Sequence, residues 1–264
     1  MILAAVLGDP ISHSRSPRLH GHWIRRHRID GAYVPLHVSN DDLLRVLDLL
    51  PGLGFAGCNI TIPHKEAALA VADQVTDRAR RIGAVNTLTF KDQMILADNT
   101  DGEGFLSSLD AGADWPKDRP AVVLGAGGAA RGIVDALVSA GVPEVRIVNR
   151  THGRAEVLAE RFDRCVAQDE AELGDAGLLV NTTSLGMEGQ PPLDLDLAYL
   201  PDAAVVTDIV YTPLETPLLR AARERGLATV DGLGMLLHQA VPGFEAWFGV
   251  RPQVDADLRR AVLG

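Results

Sequence analysis

The feature that most limits what this chain can fold into is the run Gly125-Ala126-Gly127-Gly128-Ala129-Ala130-Arg131, which follows the apolar stretch Ala121-Val122-Val123-Leu124 and opens a helical pattern reaching Ala140. A short apolar strand, a glycine turn and a helix form the opening of a nucleotide-binding unit. Gly125 permits the tight turn and Gly127 lets the backbone approach a pyrophosphate. The helix then presents its unpaired amides and positive dipole end to that charge. The third small position is Ala130, a tolerated replacement where helix packs closely on strand. A lone Gly-x-Gly-x-x-Ala is a weak signal, and context gives it weight. The pattern continues with a strand at 145–148, a helix at 154–162 and apolar strands at 178–180 and 205–209, a doubly wound α/β arrangement.

Roughly 20 residues past such a turn, an NAD site carries an acid for the ribose hydroxyl. Here Asn149, Arg150 and Thr151 stand at that place, followed by Arg154. Guanidinium forks bind phosphate in a bidentate way, so this segment predicts a nest for a 2′-phosphate and NADP(H) as cofactor.

The first third of the chain alternates in the same manner. Strands are expected at 2–7, 32–37, 57–60 and 84–90, and helices at 17–27, 41–50 and 64–72, with Pro17 at a helix start and Asn40 or Asp41 as a cap. Such alternation predicts a mostly parallel sheet covered on both faces. Residues 110–120, with two prolines and several charges, break the rhythm and lead into the second sheet. After Asp231-Gly232-Leu233-Gly234, read as a turn, only helical patterns remain, at 235–248 and 254–263. Helices without a strand of their own must dock elsewhere. The expected organisation is therefore a substrate-binding, catalytic domain from residues 1–101 plus 236–264, and an NADP-binding Rossmann-like domain from 102–235.

Composition sets wide bounds. With 35 acids against 25 basic residues in 264, the net charge of −10 argues against a nucleic-acid or anionic-membrane partner. No apolar stretch approaches the roughly 18 residues of a membrane helix, and residues 1–7 lack the basic start of a signal peptide. Cys58 and Cys165 are the two cysteines, far apart and without Cys-x-x-Cys spacing, so neither a disulfide framework nor a zinc site is expected. The eight histidines show no metal-binding spacing. A cytoplasmic enzyme without a metal is the expectation.

The second chemically distinctive set lies upstream of the glycine turn: Ser14, Ser16, Asn59, Thr61, Lys65, Asn86 and Asp101. Ser14 and Ser16 stand between the first strand and first helix, at the carboxyl end of a strand, where open α/β sheets bind ligands. Taken alone they read as a helix cap. Reduction of a ketone needs a proton at the forming alkoxide as well as a hydride. Lys65 can supply that proton and the Asp101 carboxylate can orient it, although Asp101 reads equally well as a helix cap.

These strings together resemble one family, the shikimate dehydrogenases. The matching segments are Ser14-Arg15-Ser16-Pro17, Asn59-Ile60-Thr61-Ile62-Pro63-His64-Lys65, Gly83-Ala84-Val85-Asn86-Thr87, Asp98-Asn99-Thr100-Asp101-Gly102, the glycine turn, Asn149-Arg150-Thr151 and Asp231-Gly232-Leu233-Gly234-Met235. They run in family order across nearly the whole chain. Arg15, where many relatives have lysine, and Thr182-Thr183-Ser184, where alanine is common, are small departures. The resemblance implies reversible, NADPH-linked reduction of 3-dehydroshikimate to shikimate, with Lys65 and Asp101 as the catalytic pair. It implies substrate contacts from Ser14, Ser16, Thr61, Lys65, Asn86, Asp101, Tyr211 and Gln239. For the cofactor it implies Gly125, Ala126, Gly127, Gly128, Ala129, Asn149, Arg150, Thr151, Arg154, Ile209 and Gly232. It also implies a cleft between domains that closes on the ligands. Quinate/shikimate and aminoshikimate dehydrogenases share these motifs, and a non-catalytic NADP-binding regulator is the alternative of a different class. A monomer and a homodimer fit equally.

Overall fold

A computed structural model describes residues 1–264. The chain forms two compact units, one of Met1–Thr100 with Gln239–Gly264 and one of Asp101–His238.

The first unit is built on a six-stranded sheet of order β2-β1-β3-β5-β6-β4. Its central strand β1 (Ile2–Gly8) is an unbroken apolar run with Ala4 to Leu7 all buried, as befits a strand covered on both faces. It pairs in parallel with β2 (Gly31–His37) and β3 (Phe55–Ile60). The sheet is mostly parallel as expected, with two antiparallel pairings in its other half. β5 (Thr87–Lys91) runs antiparallel to β3, and β6 (Met94–Asp98) runs antiparallel to β5. The cause is a two-residue connection in which Asp92 and Gln93 both take positive φ, 52° and 60°, the turn whose twist suits a hairpin. The two-residue strand β4 (Gln74–Val75) pairs in parallel with β6.

α1 (Ser16–Arg26) starts with Pro17 in its first turn, as expected. α2 (Leu43–Gly52) starts later than read, after Asp42 and not Asn40 or Asp41, and without a side-chain cap bond; Asp42 is drawn instead into a local turn with Ser39, whose hydroxyl donates to its carboxylate at 2.8 Å. The helix expected over 64–72 is also corrected: only Ala67–Val71 is helical, and it is a 3-10 turn. The Lys65 carbonyl is taken by the Val85 amide at 2.8 Å, and the Leu69 amide turns to the Glu66 carbonyl, three residues back. The strand read over 84–90 begins at Thr87. α3 (Asp77–Ile82) is capped by the Thr76 hydroxyl and ends on Gly83 at φ 69°.

In the second unit, α4 (Asp101–Gly112) precedes a six-stranded sheet of order β12-β11-β10-β7-β8-β9 in which every pairing is parallel. The strands are β7 (Ala121–Leu124), β8 (Val145–Val148), β9 (Cys165–Gln168), β10 (Leu178–Asn181), β11 (Val205–Asp208) and β12 (Ala228–Val230), with α5 (Gly128–Ser139), α6 (His152–Ala159) and α7 (Pro217–Glu224) between them. Alternate residues feed two cores. Ala121 and Val123 pack with Ile133 and Leu137, whereas Val122 and Leu124 pack with Leu218 and Leu219. Both faces are covered, so the strands read as continuous apolar runs. The strand order reverses between β7 and β10, which is where open α/β sheets bind ligands.

α8 (Gly232–Phe248) starts three residues before the expected 235, because the segment read as a turn is its first turn; the Asp231 carboxylate accepts from the Leu233 amide at 3.1 Å. The chain passes from one unit to the other within this helix, between His238 and Gln239. α9 (Ala256–Leu263), capped by Asp255, docks in the first unit, where the Trp23 indole donates to the Gln253 carbonyl at 3.0 Å. No helix is long and apolar enough to cross a membrane.

Candidate active site

In the first unit Asn59, Asn86 and Gln239, three of the sequence-named residues, belong to one buried polar network. Asn86, 2 % exposed, leads into β5. Its Oδ1 accepts from the Thr100 amide at 2.9 Å and the Thr87 hydroxyl at 2.9 Å, and its Nδ2 donates to Thr100 Oγ1 at 3.0 Å and Gln239 Oε1 at 3.2 Å. The Thr100 hydroxyl, fully buried, donates to the Gln239 carbonyl at 2.8 Å. Two side-chain amides from distant parts of the sequence are thereby locked side by side. Buried polar networks of this kind fix orientation because every alternative leaves a donor unmet.

Asn59, at the end of β3, extends the network. Its Nδ2 donates to the Asn86 carbonyl at 3.1 Å and to Thr87 Oγ1 at 3.2 Å, and its Oδ1 accepts from the Tyr33 hydroxyl at 2.7 Å. Burial pushes the Tyr33 phenol up, so it stays a donor. Tyr33 stacks at 3.9 Å on His20, whose ring burial holds down at about 3 and therefore neutral. Tyr33, Thr87 and Thr100 were not singled out from the sequence, although Thr87 and Thr100 lie inside the motif strings.

Lys65 follows β3 and is half-buried, and its backbone is clamped at several points. Its carbonyl accepts from the Val85 amide, the His64 amide donates to Thr61, and the His64 ring bonds the Val38 carbonyl at 2.7 Å. Those bonds fix the Lys65 main chain one residue from Asn86 across the loop. Thr61 is half-buried. Ser14 and Ser16 flank the start of α1, and the cap reading fails there: the N-cap is Arg15, without a side-chain cap bond. The Ser14 hydroxyl instead accepts from the Ser16 amide at 3.3 Å. Just before Thr100, Asp98 is held by Arg78 (2.6 and 2.5 Å) and Thr76 (2.7 Å). Burial favours its protonation, but these partners outweigh it and hold the carboxyl below its ordinary value.

In the second unit Asp101 is the first residue of α4 and is buried. The glycine turn follows β7 as read. Gly125 has φ +109°, and a side chain there would meet Thr182 Oγ1 at 2.5 Å; the turn accepts only glycine. Gly127 differs. Its φ is −87° and an added Cβ would meet nothing within 4 Å, so neither backbone nor packing requires glycine there. The space beside it is open, next to the first-turn amides of α5. Ala126, Gly128 and Ala129 complete the turn, partly accessible.

Beyond β8, Asn149 Nδ2 donates to the Thr151 carbonyl at 2.9 Å and shapes the bend. Arg150 and Arg154 are exposed. This donor set, two guanidinium groups with a threonine and an asparagine and no acid directly after β8, fits a phosphomonoester on the ribose. On the other side of β7, Gly232 lies against the Ile209 main chain, where an added Cβ would stand 2.4 Å from the Ile209 carbonyl. Tyr211 is half-buried in the loop after β11. No group of three or more His, Cys, Asp or Glu is arranged for a metal ion.

Three family models match the chain. Residues 6–88 match the shikimate dehydrogenase substrate binding domain, 112–179 match shikimate/quinate 5-dehydrogenase, and 232–261 match the shikimate 5′-dehydrogenase C-terminal domain. A relative from Rhodospirillum rubrum, named shikimate dehydrogenase (NADP(+)), is 61% identical over 274 residues, covering 99% of this chain and 97% of its own length. The solved structure of shikimate 5-dehydrogenase from Thermus thermophilus in complex with NADP(H) and shikimate superposes with a TM-score of 0.93 at 39% identity, covering 100% of this chain and 99% of the other. A quinate dehydrogenase from Corynebacterium glutamicum in complex with NAD reaches 0.92 at 33% identity, covering 99% and 98%. With full-length likeness at such identity, the chain belongs to the shikimate dehydrogenase family.

Proposed function

We propose that this protein interconverts 3-dehydroshikimate and shikimate with NADP(H), as an oxidoreductase of aromatic amino-acid biosynthesis. The observation that carries this reading is family membership over the full length, joined to the arginine-bearing bend after β8. When bound, NADPH supplies the hydride. Gly125 to Ala129 and the first turn of α5 hold the pyrophosphate, Arg150 and Arg154 grip the 2′-phosphate with Asn149 and Thr151, and Ile209 and Gly232 line the remaining cofactor surface.

Lys65 donates the proton to the carbonyl oxygen of the substrate and removes it in the reverse direction. Asp101 orients the Lys65 ammonium and accepts a hydrogen bond from a ring hydroxyl. Ser14 and Ser16 take the carboxylate, and Thr61, Asn86, Tyr211 and Gln239 read the hydroxyls. A site built from preset amides and hydroxyls rejects analogues that lack the matching group, because its buried polar atoms would be left unpaired. Residues 1–101 with 236–264 form the substrate and catalytic domain in this reading, and 102–235 the cofactor domain.

An NAD-linked quinate activity is the second reading, motivated by the likeness to the quinate dehydrogenase solved with NAD. Steady-state assays crossing shikimate and quinate with NADP and NAD decide between them. The highest kcat/KM is expected for shikimate with NADP. A preference for quinate with NAD supports the second reading, and no turnover with any pair makes the protein a non-catalytic binder. The cytoplasm is the compartment proposed, since Cys58 and Cys165 are both unpaired thiols. The partners are small molecules, with the enzyme acting as a monomer or homodimer and binding no nucleic acid.

A further inference from the structure

The carboxyl edge of the second sheet carries an acid to which neither the cofactor nor the substrate reading gives a role. Asp208, the last residue of β11, is fully buried. Its carboxylate meets three neutral donors and no cation: Oδ1 accepts from Asn181 Nδ2 at 3.0 Å and from the Val210 amide at 3.0 Å, and Oδ2 accepts from Thr216 Oγ1 at 2.8 Å. Burying a carboxylate without a cation is costly, and burial indeed pushes this group up from its ordinary range. A fold that keeps such a group uses something a neutral residue lacks.

The donors identify what that is. Val210 precedes Tyr211 directly, and Thr216 caps α7 by accepting from the Leu219 amide at 3.3 Å. One side chain thus ties down both ends of residues 209–216, the segment that carries Tyr211. The third donor, Asn181, ends β10, and its Oδ1 accepts from the Thr183 amide at 3.0 Å and hydroxyl at 2.7 Å. The same carboxylate therefore ties that segment to the start of the neighbouring loop. Asparagine at position 208 has one acceptor oxygen and would turn an NH2 toward Thr216, whose hydroxyl proton would then lose its acceptor. Only an ionised carboxylate serves all three donors.

We propose that Asp208 is a positioning residue for Tyr211, fixing the loop from which that phenol reaches the substrate. This rests on the reading that Tyr211 contacts shikimate. The test measures kcat and KM for shikimate in the full-length Asp208→Ala, Asp208→Asn and Tyr211→Phe variants and in the Asp208→Ala/Tyr211→Phe double variant. Asp208→Ala is expected to raise KM about tenfold, the scale of one hydrogen bond, with kcat changed far less. Asp208→Asn, which keeps two of the three bonds, should fall between. The decisive result is coupling: adding Tyr211→Phe to Asp208→Ala should bring little further loss. Losses that multiply, or an unchanged KM in folded Asp208→Ala, overturn the proposal. Should the alanine variant fail to fold, Asp208→Asn carries the same test, and its loss must likewise vanish in the Tyr211→Phe background. A Tyr211→Phe variant with unchanged KM beside a raised KM for Asp208→Ala overturns it differently, by removing the contact it rests on.

Discussion

The two units prepare for their ligands in opposite ways. In the first, Asn59, Asn86, Thr87, Thr100 and Gln239 are bound to one another, so the polar groups are set before any ligand arrives. In the second, the region we propose for the cofactor holds a bare glycine at Gly127 and two exposed arginines, open space and solvent-facing charge. A preset network gives discrimination between similar rings, whereas open amides and guanidinium groups give grip on phosphate with little preorganisation.

The largest break in this comparison should come from Lys65→Ala. A general acid contributes on the order of 10²–10⁴ in rate, so kcat should fall by that range while shikimate binding, read by calorimetry, changes far less. Equal loss of both would make Lys65 chiefly a binding group. Next in size is the paired Arg150→Ala/Arg154→Ala variant. Hydrogen bonds to charged groups are worth about 1.5–3 kcal/mol, so KM for NADP should rise about tenfold or more while KM for NAD barely moves. An unchanged NADP preference would remove the phosphate nest.

A sharper test sets two glycines two residues apart against each other. Gly125→Ala, at φ +109° and against Thr182, should lower Tm by several degrees. Gly127→Ala should leave Tm alone and raise KM for NADP several-fold. If both act on Tm alone, the space at Gly127 serves no ligand. The smallest effect concerns pH. Because the folded Asp98 carboxyl lies below its ordinary 3.8, its contribution to stability is complete above that value and is lost as pH falls through the folded one. The Tm gap between the protein and Asp98→Asn should be constant near neutrality and narrow progressively below about pH 4; a gap that does not narrow at all on acidification would assign the effect elsewhere.

Much of the second unit was legible because its strands are buried on both faces and its glycine turn is a local signal. The strands at 165–168 and 228–230 escaped, since four and three residues carry no periodicity. In the first unit the hairpin of β5 and β6 was missed because Asp92-Gln93 is not the usual turn pair and takes positive φ only in context. The helix over 64–72 failed for a tertiary reason, the capture of the Lys65 carbonyl by Val85. Spacing alone joined Asn86 to Gln239 no better than to any other polar residue; the family resemblance named both, and the coordinates bring them into hydrogen-bond contact. Tyr33 and Asp208 looked like ordinary strand residues, and only burial and partners set them apart.

The first unit is made from the two ends of the chain, with the Trp247 indole donating to Leu88 at 3.0 Å and α9 packed beside α1. The second unit is therefore one uninterrupted stretch of chain, whereas the first is complete only when its closing helices have been added. Chains truncated before Trp247 would present a finished second unit and an unfinished first one, and proteolysis of such chains would cut the early residues first.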